Sequence, residues 1–204
     1  MGQKMKMSRQ QLRIDGHVVH ALGDVSLFRK PKVGLLCSQQ CAGDIILQVY
    51  DFARLVQGSE RAIVSGFHSP IENDCLPILL RGAAPIIIIQ GHRLSTSRLL
   101  RGWQKAIDAG RLLLLSPFTE KDKRVTADLA TKRNRFVATI SDEVLIPYAA
   151  PGSKTETLAL ELLSSGKRVF TFNNRSGPLL ESGAQLVEPG FFATATNVQA
   201  AAGA

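Results

Sequence analysis

Short unbroken apolar runs alternate along this chain with longer stretches in which apolar residues recur every three or four positions. "KVGLLC" (32–37), "RAIVSG" (61–66), "PIIIIQ" (85–90), "RLLLLS" (111–116), "EVLIP" (143–147) and "RVFTF" (168–172) are of the first kind. Runs this short and this rich in aliphatic residues predict strands buried on both faces. Helical periodicity predicts helices over 43–57, 96–110, 126–140 and 155–165. Another is expected from Pro70 to Leu80, since proline suits a first helical turn, where its missing N–H costs nothing. Strands separated by single helices predict a mostly parallel sheet with helices on both faces, a Rossmann-like doubly wound α/β domain over residues 31–190. Residues 1–30 are polar and basic with little periodicity and read as an extension. Residues 191–204, closing on the low-complexity "ATATNVQAAAGA", read as a disordered tail.

Composition narrows the function. With 204 residues and 45% hydrophobic content the chain can bury one sizeable core. Its net charge of +8 is unevenly spread: residues 1–32 carry +5, residues 92–135 carry +7, and the remainder carries −4. A local, arginine-rich excess points to a polyanion such as nucleic acid or a nucleotide phosphate. No apolar run approaches the roughly 20 residues of a membrane span, and the start has no signal-peptide core, so a cytoplasmic protein without membrane contact is expected. Cys37, Cys41 and Cys75 form no CxxC pair and are expected to be reduced thiols; four scattered histidines lack ligand spacing, so no metal is expected. The GxGxxG fingerprint and the P-loop are both missing, which argues against NAD-dependent redox chemistry and NTP hydrolysis, and no cofactor is expected.

In doubly wound sheets ligands bind outside the carboxyl ends of the strands, so the loops there are the places to inspect. After the first strand stand Ser38 and Gln39, after the second Ser65 and Gly66, and after the fifth Gly152, Ser153, Lys154 and Thr155. Small and polar residues let backbone N–H groups approach a phosphate. Ser153 can cap the helix that follows, whose positive end Lys154 reinforces. Lys132, Arg133 and Arg135 flank Asn134 ahead of an apolar, helix-like run. Trp103 lies on a helix and reads as a packing residue.

Several of these pieces, in order, resemble the DprA/Smf family of DNA-processing proteins. The resemblance runs from about Gly23 to Val187. "GDVSLFRKPKVGLLCSQ" (23–39) is similar to the family's approach to its first strand and a Gly-Ser-Arg loop, and "IVSGFHSPIE" (63–72) to its Ser-Gly-Leu-Ala-Arg-Gly-Ile-Asp segment. "KRNRFVATISDEVLIPYA" (132–149) resembles its Arg-Asn-Arg motif with the following helix and strand. "LELLSSGKRVFTFNN" (160–174) and "GPLLESGAQLV" (177–187) resemble the last strand and closing segment. The chain departs from the pattern at Gln39, which replaces the loop arginine, at Ser69-Pro70 for Arg-Gly, at Glu72 for the aspartate, at Leu76 for a histidine, and at Ala130-Thr131 for an aromatic-proline pair.

The resemblance implies non-catalytic binding of single-stranded DNA in DNA processing, recombination and natural transformation, with a recombinase and a second copy of the chain as further partners. Arg133 and Arg135 would then meet phosphates, with Asn134 holding a neighbouring loop or a base edge; the alternative is that both arginines pair with Asp142, Glu143 or helix ends. Two other functions stay open. One is a nucleotide sensor using Ser65, Gly66, Lys154 and Thr155. The other is a nucleotide N-glycosidase like the lysine-decarboxylase-like group, whose Pro-Gly-Gly-x-Gly-Thr-x-x-Glu loop is similar to Pro151–Thr155. Here Leu158 stands at that loop's glutamate, and glycosidic hydrolysis needs a carboxylate.

Overall fold

The computed structural model describes residues 9–95, 99, 101–172 and 177–193. Nine strands among them form one sheet: β1 (Gln10–Ile14), β2 (His17–Gly23), β3 (Lys32–Leu35), β4 (Ala62–Ser65), β5 (Ile86–Ile89), β6 (Leu112–Ser116), β7 (Glu143–Leu145), β8 (Val169–Thr171) and β9 (Gln185–Leu186). Their spatial order is β1-β2-β6-β5-β4-β3-β7-β8-β9. From β6 to β9 all neighbours run parallel, whereas β1 and β2 add an antiparallel hairpin to the β6 edge. The helices are α1 (Gly43–Leu55), α2 (Pro70–Arg81), α3 (Arg101–Asp108), α4 (Ala127–Ile140), α5 (Lys154–Ser164) and α6 (Gly177–Glu181). The doubly wound α/β fold expected from the apolar runs is the fold observed.

The all-apolar strands feed two cores at once. Along β5, Ile86 and Ile88 face the side covered by α1, α2 and α3, while Ile87 and Ile89 face the side covered by α4, α5 and α6. Leu112 and Leu114 of β6 alternate with Leu113 and Leu115 in the same way. A side-chain period of two with both faces buried leaves no polar position, which is why these runs show no alternation in sequence.

Two segments differ from the sequence expectation. Residues 10–23, read as part of a basic extension, are built into the sheet. Asp15 (φ 47°) and Gly16 (φ 79°) form a two-residue turn that sets Ile14 opposite His17, and β2 then pairs with β6. Two positive φ angles are what the tight turn of a hairpin requires. Phe191 and Phe192, placed in the tail, instead pack on the core: Phe192 is fully buried, edge-on to Phe52 at 6.0 Å and to Phe170 at 5.3 Å. The Arg-Asn-Arg motif lies inside α4, whose cap is Thr126, within the helix expected over 126–140. The start of the helix expected from residue 96, the Asn173-Asn174 loop, residues 1–8 and residues 194–204 fall wholly or partly outside the described residues. Trp103 is half-buried against the α1–α3 core, as a packing residue should be.

The amino ends of the strands are closed by charge. Glu143 is buried between Arg61 (2.9 Å) and Arg168 (2.6 Å). Nearby, Lys32 donates to the carbonyls of Phe28 and Lys30 and pairs with Asp142. Asp142 and Glu143, considered as partners for the α4 arginines, are therefore engaged at the far end of the sheet.

Candidate functional site

Strand order reverses at β3. From there the chain winds outward through β4, β5 and β6, then returns through α4 to β7 on the other side of β3. In open α/β sheets the crevice at such a reversal, outside the carboxyl ends, is where ligands bind. A cleft of about 770 Å³ opens there, walled by the loops after β3, β4 and β7 and by one face of α4.

Polar side chains tie the three loops together. Ser38 is buried; its Oγ accepts the Ala150 N–H at 2.9 Å and lies 3.2 Å from Ser153 Oγ. Ser153 in turn caps α5, accepting the Glu156 N–H at 3.1 Å, while Glu156 accepts the N–H of Gly152, whose φ is +71°. Glu72, also buried, receives three donors from two loops: the Cys37 N–H at 2.9 Å, Ser65 Oγ at 3.2 Å and the His68 N–H at 3.1 Å. Between Ser65 and His68, Phe67 adopts φ 47°. That is a strained angle for a bulky side chain, held here because Ser65 Oγ accepts the Phe67 N–H and Glu72 accepts the next one.

Arg133 points into this frame from the middle of α4 and is only 4% exposed. Its Nε and Nη2 donate to Asn134 Oδ1 at 3.1 and 2.9 Å. Among the described residues no carboxylate is in ion-pair contact with it, and its Nη1 has no acceptor. The guanidinium fits because Gly66 has no side chain: a Cβ there would lie 2.8 Å from Arg133 Cδ and Cζ. Burial pulls the Arg133 pKa below its ordinary value, with the charge of Glu72 opposing the shift. An arginine nevertheless stays protonated, so a cation with unspent donors sits at the base of the cleft.

Of the other expected residues, Ser38, Gln39, Asn134, Arg135, Ser153, Lys154 and Thr155 line the same cleft. Ser65 and Gly66 lie behind the lining, one holding Glu72 and the other making room for Arg133. Gly152 shapes the approach to α5. Lys132 is exposed and does not line the cleft; it pairs at 2.8 Å with Asp128, which does, and this bond raises its pKa. Arg135 does pair within the fold, but with Glu161 of α5: its Nη2 donates to both carboxylate oxygens at 2.8 Å. Lys154 is exposed and has no ion-pair partner among the described residues. Beside the cleft, the segment between β6 and α4 adds exposed Lys121, Lys123 and Arg124. Not all of the basic stretch 92–135 contributes. Arg93 pairs with Glu120, and Arg111 donates to the Leu80 and Ala84 carbonyls.

Glu72, noted in the sequence only as the residue at the family's aspartate and not among the expected site residues, joins the loops after β3 and β4. A signal for Glu72 existed, since Ser69-x-x-Glu72 has the form of a capping box. Ser69 does cap α2, but the carboxylate reaches across to the β3 loop instead of back to the cap. Leu158, at the position of the glycosidase glutamate, is buried, and Glu156 is committed to the Gly152 N–H.

The DNA recombination-mediator protein A family model matches residues 7–200 of the chain. No curated protein matches it in sequence. Among solved structures, DNA processing protein A from Streptococcus pneumoniae aligns with a TM-score of 0.72 at 20% identity, over 92% of this chain and 73% of that one. DNA processing protein A from Helicobacter pylori, described for its single-stranded DNA binding mode, aligns with a TM-score of 0.69 at 23% identity, over 90% and 92%. A molybdenum cofactor binding protein from Rippkaea orientalis reaches 0.53 at 16% identity, over 79% and 91%. At these identities the likeness is one of fold.

Proposed function

Because the chain belongs to the DNA recombination-mediator protein A family, we propose that it binds single-stranded DNA in DNA processing or recombination, at the cleft between β3 and β7. The observation that carries this reading is Arg133, a buried guanidinium with no ion-paired carboxylate among the described residues, opening into the cleft. Planar forks of this kind meet phosphate oxygens in pairs. The N-terminus of α5, with Lys154 and the backbone N–H groups near Thr155, supplies a second anion-attracting wall. Exposed Lys121, Lys123 and Arg124 continue the positive surface along the path of a longer strand. Arg135 reaches a phosphate by sharing its fork with, or leaving, Glu161.

The role is binding rather than catalysis. Delivering the bound strand to a recombinase, with the chain acting as a dimer, is the finer form of this proposal. Fluorescence anisotropy with labelled single-stranded and duplex oligonucleotides at several salt concentrations tests it. Tight, strand-selective binding that weakens steeply with salt is expected. A cleft of about 770 Å³ also suits one small nucleotide. Binding of a mononucleotide with little salt dependence, and no oligonucleotide binding at low salt, would favour that second reading.

A further inference from the structure

The floor of the cleft is closed around Arg133. The loop after β3 is tied to both of its neighbours: Ser38 Oγ takes the Ala150 N–H at 2.9 Å, and Glu72 takes the N–H groups of Cys37 at 2.9 Å and His68 at 3.1 Å. Fully buried Ser65 and Gly66, whose Cβ would collide with Arg133, stand behind the guanidinium, and α4 supplies the remaining wall. Only 4% of Arg133 is exposed, so the cleft ends at this side chain and does not run past it. Its Nε and Nη2 are spent on Asn134 Oδ1, while Nη1 has no acceptor among the described residues. The start of α5 opens on the same cleft. First-turn N–H groups have no acceptor within a helix. Ser153 takes that of Glu156, and among the described residues those of Lys154 and Thr155 have none.

A blind site separates two kinds of DNA phosphate. A phosphodiester within a strand carries a nucleoside on each side, so to touch Arg133 the strand must enter and leave by one mouth. A terminal phosphate is esterified once and enters with a single nucleoside trailing behind it. It also presents three free oxygens and a charge of about −1.5 to −2 at pH 7, where a diester carries a single charge. Among the lysines and arginines lining the cleft, two have no ion-paired carboxylate among the described residues, Arg133 and Lys154. The other charges there are spent: Arg135 on Glu161, Asp128 on Lys132, and Glu72 on its three donors. We propose that the cleft captures the phosphorylated end of a single strand, with the terminal phosphate on Arg133 and the rest of the strand leaving through the mouth toward Lys121, Lys123 and Arg124. This rests on the single-stranded DNA reading of the cleft and specifies which strands it holds most tightly.

The test uses the full chain and one single-stranded oligonucleotide labelled on an internal base. It is prepared with hydroxyls at both ends, with a 5′-phosphate, with a 3′-phosphate, and as a closed circle. In anisotropy titrations at fixed salt, at least one phosphorylated form should bind about tenfold more tightly than the hydroxyl-ended strand, the scale of a charge-assisted contact. The circle should bind no more tightly than the hydroxyl-ended strand, and the end that gains gives the polarity of the bound strand. In phosphorus NMR the terminal resonance should shift on binding by more than the diester resonances. Arg133→Met, which fills the space without a charge, should make phosphorylated and hydroxyl-ended strands bind alike. The NMR measurement needs no variant, so it decides the matter if that substitution unfolds the chain. Equal binding of all four forms, with the terminal resonance unmoved, overturns the inference and leaves the DNA reading standing. Should no oligonucleotide bind, the DNA reading fails, and a nucleoside monophosphate is titrated against its nucleoside. Binding of the monophosphate alone, with its phosphorus resonance shifted, still supports a monoester at Arg133; no binding overturns that as well.

Discussion

Arg133 combines burial, charge and unspent donors in one side chain, and its neighbours are chosen to permit that. Asn134 steers the fork, while Gly66 leaves room for it. Gly66→Ala must move the guanidinium, since its new methyl meets Arg133 carbons at 2.8 Å. Overpacking of this kind costs about 1–3 kcal/mol in denaturant unfolding, and oligonucleotide affinity should fall with it although Gly66 itself does not line the cleft. The two neighbouring lysines give a sharper contrast. Lys154→Ala removes an unpaired cation on the cleft and should lower both the affinity and the salt slope, by roughly one phosphate contact. Lys132→Ala removes a cation that does not line the cleft and is paired with Asp128, and should change affinity less, with stability altered by no more than about 0.5 kcal/mol. Equal effects of the two in anisotropy titrations would contradict the orientation assigned to α4.

The cap of α5 joins local structure to the site. Ser153→Ala removes both the cap of the helix and the link to Ser38, so the thermal and denaturant curves should show a loss of about 1 kcal/mol or somewhat more. Six of the seven parallel strands and this cap were legible in the sequence, because aliphatic runs and Ser-x-x-Glu patterns act locally. The β1–β2 hairpin was also written there, in Ile14-Asp15-Gly16-His17, but the surrounding charge masked it. An edge hairpin buries one face and leaves residues such as Val18 exposed, so its alternation is weak. Phe191 and Phe192 were lost for another reason, since two aromatics beside a low-complexity end carry no period. Phe192→Ala should cost about 3–5 kcal/mol, which is the scale of a buried aromatic and not of a tail. The positions of Ser38, Gln39 and Lys154 at the site followed from the rule for strand ends. The pairing of Arg135 with Glu161 did not, since it joins two helices 26 residues apart.

Across the whole molecule the two ends of the sheet are specialised. At the amino ends, charges are neutralised in contact: Glu143 lies between Arg61 and Arg168. Glu143→Ala would leave Arg61 buried without its counter-ion, a loss of about 3–5 kcal/mol, yet oligonucleotide affinity of the folded protein should be retained because the triad is at the far end from the cleft. At the carboxyl ends the reverse holds, and a buried cation is left without an ion-paired carboxylate among the described residues at the point where strand order turns. The central claim is that this cation receives a DNA phosphate. Its most direct test compares wild type with Arg133→Lys in anisotropy titrations of a single-stranded oligonucleotide at several salt concentrations. Lysine keeps the charge but loses the fork, so affinity should fall by about tenfold or more while the salt slope stays nearly the same. Unchanged affinity in a variant that remains folded would contradict a phosphate at Arg133.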